Sequence, residues 1–175
     1  MKIYPFLIAC SLAITTYTIS NEAKAHWQFY KDKKSNFNDL NINWRDNIKY
    51  HSKRLKFDRN NKESLFGRAL ARGKVKNYSG ALKDINKLIK MDSKYNNLAI
   101  LYRAWFHTNL RNYSEAMDDY SSLIENNEYL KDSYSNRGFI KDIFHDQKGA
   151  CSDWKIGGGL GNMDALSAFE NYCKS

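Results

Sequence analysis

A chain of 175 residues with 42% hydrophobic side chains holds enough apolar material for one folded domain, which excludes disorder throughout. The formal net charge of +9 admits an anionic partner, but the 28 basic residues are interleaved with 19 acidic ones, so the charge reads as a solvated surface and not as a nucleic-acid footprint. The single proline is Pro5, so nothing downstream interrupts a helix by removing a backbone donor.

Lys2, an apolar run from Ile3 to about Ile19 and Ala23-Lys24-Ala25 follow the order of a secretory signal peptide, with cleavage expected after Ala25. The alternative is an uncleaved membrane anchor, against which stand the shortness of the run and its Ser11, Thr15, Thr16 and Thr18. Leu7-Ile8-Ala9-Cys10 has a lipobox-like order, but too little apolar sequence precedes Cys10 to favour lipidation. Residues 26–42 are rich in Lys, Asn and Asp and are expected to be weakly ordered. Over 43–61, Trp44, Ile48, Leu55 and Phe57 in a polar background predict an N-terminal capping helix, or the second half of a degenerate repeat. The ending Leu55-Lys56-Phe57-Asp58 is much like Ile89-Lys90-Met91-Asp92 further on.

Sliding the chain against itself then exposes a period. Asn77-Tyr78-Ser79-Gly80-Ala81-Leu82-Lys83-Asp84 returns as Asn112-Tyr113-Ser114-Glu115-Ala116-Met117-Asp118-Asp119 and as Asp146-Gln147-Lys148-Gly149-Ala150-Cys151-Ser152-Asp153, at offsets of 35 and 34 residues. Arg68-Ala69-Leu70, Arg103-Ala104-Trp105 and Arg137-Gly138-Phe139 keep the same register upstream. Two blocks held in register over three copies mean stacked structural units. Each unit reads as two helices: Leu65, Ala69 and Arg72 lead to Val75 in the first, and Ala81, Ile85, Leu88 and Ile89 form one face of the second. Ser79 and Ser114 in the connecting turns are expected to cap the second helices.

On these motifs the segment from Lys62 to about Gly159 resembles the tetratricopeptide repeat (TPR) family, in its variant with arginine before the small residue of the first helix and aspartate on the second. It departs from the family where a repeat-closing proline is replaced by Ser93 and Glu128. The resemblance implies an all-α, short α-solenoid of about three hairpins, TPR 1 over 62–96, TPR 2 over 97–130 and TPR 3 over 131–161, with a capping helix at each end. Arg68 with Asp84, Arg103 with Asp119 and Arg137 with Asp153 are expected to pair inside their own hairpins in a structural role, as partly exposed ion pairs contributing about 0.2 to 1 kcal/mol. It also implies a partner-binding groove lined by the first helices. That groove would receive Phe66, Leu70 and Lys74, then Leu101, Tyr102, Trp105 and Asn109, then Ser135, Asn136 and Phe139. The competing reading is that aromatic residues at helical spacing belong to the core.

After the third repeat, Gly157-Gly158-Gly159-Leu160-Gly161 is expected to break the chain as a flexible turn before a C-terminal capping helix over 162–175. It lacks the spacing and the preceding strand of a phosphate-binding loop. Cys151 and Cys173 flank this turn at similar distances, and in an exported chain they are expected to form a disulfide across two antiparallel helices. Chemistry has no comparable signal. His26, His51, His107 and His145 lack zinc-ligand or haem-attachment spacing, and no nucleophile stands in a recognised motif, so no catalytic residue, metal or cofactor is assigned. His107 shares its repeat position with Arg72 and Lys141. The expectation is a non-catalytic protein-interaction scaffold of the TPR type, exported to a periplasmic, lumenal or secreted location. It would bind a protein or peptide and support assembly of an envelope or membrane-associated complex. The alternatives are a basic binder of anionic surfaces or nucleic acid, and an accessory subunit of an enzyme.

Overall fold

A computed structural model describes residues 43–91 and 96–174. The signal-peptide reading of 1–25 and the weak order expected for 26–42 lie outside the described residues. Eight helices follow among those described: α1 (Trp44–Phe57), α2 (Lys62–Lys74), α3 (Tyr78–Ile89), α4 (Asn96–Asn109), α5 (Tyr113–Glu125), α6 (Leu130–Ile143), α7 (Gln147–Gly159) and α8 (Met163–Tyr172). Each packs on the next in chain order, and α6 also reaches α8, which makes an all-α solenoid of stacked helical hairpins.

The repeat dictates the core. Ala81, Ile85 and Leu88 of α3 are buried; so are Ala116, Tyr120 and Leu123 of α5, and Ala150, Trp154 and Gly157 of α7. The spacing i, i+4, i+7 puts each triplet on one helix face, turned towards the first helix of its hairpin. Small residues oppose them: Ala69, Ala104 and Gly138 are all buried on the first helices. In α1 the buried residues are His51 and Leu55, whereas Phe57, expected on the apolar face, is 85% exposed. His51 therefore stands where Ile85 stands one repeat later, and Gly67 of α2 leaves room for its ring. At this one position α1 shares the register of the second helices, while Arg54, opposite Leu88 in the same alignment, is exposed.

The turns within hairpins are alike. Asn77, Asn112 and Asp146 donate their backbone N–H to the carbonyls of Arg72, His107 and Lys141 at 2.8, 2.9 and 2.9 Å. The residues before them, Lys76, Arg111 and His145, take left-handed φ angles of 62°, 63° and 62°. This is the Schellman ending, which satisfies the last carbonyls of a helix.

Two expectations about turns need correction. The cap of α3 is Asn77, whose side chain accepts from the Gly80 N–H, and Asp146 does the same for Gly149; Ser79 already lies inside the first turn. Asn and Asp reach the exposed donor from the position before the helix, which serine at the second helical residue cannot do. Only the end of the glycine cluster is a turn: α7 runs through Gly159, and the reversal falls at Leu160-Gly161, with a Gly161 φ of 92°. Gly157 and Gly158 are helical because α8 crosses them closely. A Cβ on Gly158 would lie 2.9 Å from the Leu166 Cα.

Candidate functional site

Each hairpin holds a guanidinium on a carboxylate across its two helices. Arg68 donates to Asp84 through Nε at 2.8 Å and Nη2 at 2.7 Å; Arg103 to Asp119 through Nε at 2.8 Å and Nη2; Arg137 to Asp153 at 2.8 and 2.9 Å. The fork geometry of arginine fits two carboxylate oxygens at once, which fixes the angle between the helices as well as their separation. Arg68 and Arg137 reach further, donating to the hydroxyls of Ser52 at 3.2 Å and Ser121 at 3.1 Å on the preceding helix, so these two arginines also tie successive units together. The pairs are exposed on one side: the arginine side chains are 18 to 27% exposed, and the aspartates only 3 to 8%. Buried charges of this kind are strongly interdependent, since loss of one partner strands the other.

A second cation completes two of the clamps. Arg72 donates to Asp84 at 2.6 Å and to the Gly80 carbonyl at 3.0 Å, and Lys141 lies 2.9 Å from Asp153. In the middle hairpin the equivalent residue is His107, whose Nδ1 lies 3.3 Å from the Asn112 amide. Burial lowers the His107 pKa below its ordinary 6.5, Asp119 and Glu115 oppose this, and Arg103 adds to the lowering. The Asn112 side chain makes no capping bond to α5, unlike Asn77 on α3. The sequence signal for this second position was the alignment of Arg72, His107 and Lys141, which periodicity alone leaves as an ordinary polar helix site.

The ten residues expected to line a groove separate into three groups. Phe66, Tyr102 and Trp105 form a half-buried ring cluster over α2 and α4. Phe66 meets Tyr102 edge-on at 5.7 Å, and Trp105 meets Tyr78 at 5.7 Å and Phe106 at 5.3 Å. Gly73 permits this, since a Cβ there would lie 3.2 Å from the Trp105 ring. Leu70 is half-buried beside this cluster in the chain, and Lys74 is exposed with its ammonium 5.9 Å from the Trp44 ring centroid. Leu101 and Ser135 are corrections: at 5% and 3% exposure they belong to the interior, Leu101 packing with Ala104, Ala116, Tyr120 and Leu123 of its own hairpin and Ser135 facing Gly157 of α7. Asn109, Asn136 and Phe139 are half-buried but locally engaged. Asn109 donates to the Trp105 carbonyl and Asn136 to that of Asp132, while the Phe139 ring packs 5.2 Å from Trp154. Leu70, Trp105 and Phe139 are equivalent by repeat, and Phe139 packs on Trp154 of its own hairpin.

Cys151 of α7 and Cys173 at the end of α8 are joined by a disulfide, with Cα atoms 5.7 Å apart. Among the described residues no three His, Cys, Asp or Glu side chains gather as metal ligands, and no helix is long and apolar enough to cross a membrane.

No family model matches the chain, and comparison with curated proteins finds no match. Two solved structures of MamA, a TPR-like helical protein, are similar in fold. One gives a TM-score of 0.64 at 19% identity, over 86% of this chain and 80% of that one. The other gives 0.57 at 17% identity, over 70% of this chain and 82% of that one. The chain has the TPR-like helical-solenoid fold that these structures share.

Proposed function

We propose that this protein is a non-catalytic interaction scaffold that captures a peptide or helix on the first-helix face of its leading two hairpins, and that it acts outside the cytoplasm in the assembly of an envelope or membrane-associated complex. The observation that carries the reading is the ring cluster of Phe66, Tyr102 and Trp105, which is large, rigid and only half-buried. Aromatic side chains lose little conformational freedom on binding and dominate contact energies where they sit together at a surface. A TPR-like array supports such a role because its scaffold is held by the Arg–Asp clamps and leaves side chains on one helix face available. The Cys151–Cys173 bond and the signal-like order of residues 1–25 support the compartment.

Selection of peptides from a random library against the full chain tests the reading. Trp105 is packed on both Tyr78 and Phe106, so its removal confounds binding with folding; Leu70→Glu is the sharper variant. A charge at this half-buried position is expected to abolish capture of the selected peptides while the melting temperature moves by only a few degrees. Undiminished capture would remove the face from consideration.

A further inference from the structure

The three turns inside the hairpins lie along one edge of the array and repeat a surface pattern that the fold alone does not require. Each turn presents an apolar residue followed by a basic one: Val75-Lys76, Leu110-Arg111 and Phe144-His145. Val75 is 37% and Phe144 57% exposed, Leu110 is half-buried, and all three of Lys76, Arg111 and His145 are exposed. All three basic residues take left-handed φ angles, which glycine adopts at least cost. A cation there is favoured by the helix C-terminus it follows, which offsets part of that strain. Neither effect calls for an exposed apolar side chain beside it.

The Tyr113 and Phe144 rings meet edge-on at 5.9 Å between the second and third turns, and the Lys74 ammonium over Trp44 brings the start of α1 to the first. Over turns 74–79, 109–114 and 143–148 the sequence carries four lysines or arginines and His145 against one carboxylate, Asp146, which is engaged as a helix cap. The opposite edge is close to neutral: by sequence its turns 57–62, 90–95, 125–130 and 159–164 hold four basic and five acidic residues, beside the exposed Phe57, Leu160 and Met163.

From this asymmetry we infer that the Val75-Lys76, Leu110-Arg111 and Phe144-His145 edge is a docking surface for an anionic lipid bilayer. A row of turn tips offers no cleft for a peptide or small molecule, whereas a bilayer surface accepts shallow apolar insertions flanked by cations. Docking by the edge leaves the first-helix face around Phe66 and Tyr102 free, so the inference stands or falls separately from peptide capture.

The test is co-sedimentation of the full chain with phosphatidylcholine vesicles, with and without phosphatidylglycerol, at low and high salt. The expected result is binding that rises with phosphatidylglycerol, falls with salt, and drops about tenfold in the Lys76→Glu, Arg111→Glu double variant. A charge-matched control, Arg59→Glu with Lys90→Glu on the opposite edge, should bind like the unaltered chain. Lys76→Gly with Arg111→Gly keeps the test independent of folding: it relieves the left-handed strain, so the melting temperature should hold or rise while anionic binding falls. Equal losses in the two glutamate variants would overturn the inference in favour of net charge alone. Undiminished binding in both edge variants would overturn it in favour of another contact, including the apolar run. Capture of polyglutamate through Lys76 and Arg111, without vesicle binding, would overturn it in favour of an acidic protein partner.

Discussion

The leading two hairpins and the third use one motif to different ends. In the first two, aromatic side chains of α2 and α4 remain half-buried on the first-helix face and touch one another across the hairpins. In the third, Phe139 leans on Trp154, glycines of α7 admit α8, and a disulfide closes the end. A repeat can thus leave its aromatic residues half-buried at the surface or serve as an end clasp according to a few substitutions, with the Arg–Asp clamp common to both. The clamps differ too, since Asp84 and Asp153 each face two strong cations and Asp119 faces Arg103 with a neutral-leaning His107.

That difference gives the largest expected effect. Arg103→Ala strands the buried Asp119 carboxylate and should lower stability by about 3 to 5 kcal/mol. Arg137→Ala leaves Asp153 with Lys141 and should lose roughly half as much, as read from urea unfolding at neutral pH. Equal losses would break the distinction between the clamps. Next, opening the Cys151–Cys173 bond, which spans 22 residues, should remove about 3 kcal/mol, with hydrogen exchange rising in α7 and α8 and not in α2 to α4. Intact mass after alkylation with and without reductant checks the bond itself; two free thiols in the unreduced chain would contradict it.

A smaller effect concerns size matching in the third hairpin. A Cβ on Gly138 would stand 2.7 Å from the Trp154 indole, so Gly138→Ala should destabilise by about 1 to 3 kcal/mol. Adding Trp154→Ile, which copies the Ala69 and Ile85 pairing of the first hairpin, should restore most of that loss. The smallest effect is the pH response of His107. Because its folded pKa lies below 6.5, the unfolded chain takes up the proton first as pH falls. Its contribution is therefore complete above about pH 6.5 and declines below it. His107→Gln should flatten that part of the stability profile, and an unchanged slope would assign it elsewhere.

How much of this was legible in the sequence follows from what periodicity can and cannot carry. The hairpins, their small-residue positions and the partners Arg68 and Asp84 are all visible, because position and sign recur together at a fixed offset. The interior place of Leu101 and Ser135 is not, since a half-turn of helix separates groove from core and sequence spacing leaves that rotation open. The glycine cluster misleads for a related reason: glycine marks a turn or a close approach, and only the path of α8 over Gly158 decides between them. His51 carries no signal of its own in sequence, although it aligns with the buried Ile85 one repeat later. The caps followed a simpler rule, with Asn77 and Asp146 one step outside the helices they close.

The most direct measurement is hydrogen exchange on the full chain, alone and bound to a library-selected peptide. The expected result is added protection on the α2 and α4 face around Phe66, Leu70 and Tyr102, with α6 to α8 unchanged. Protection confined to α7 and α8, or spread evenly over all helices, would contradict the division between a recognition region and an end clasp.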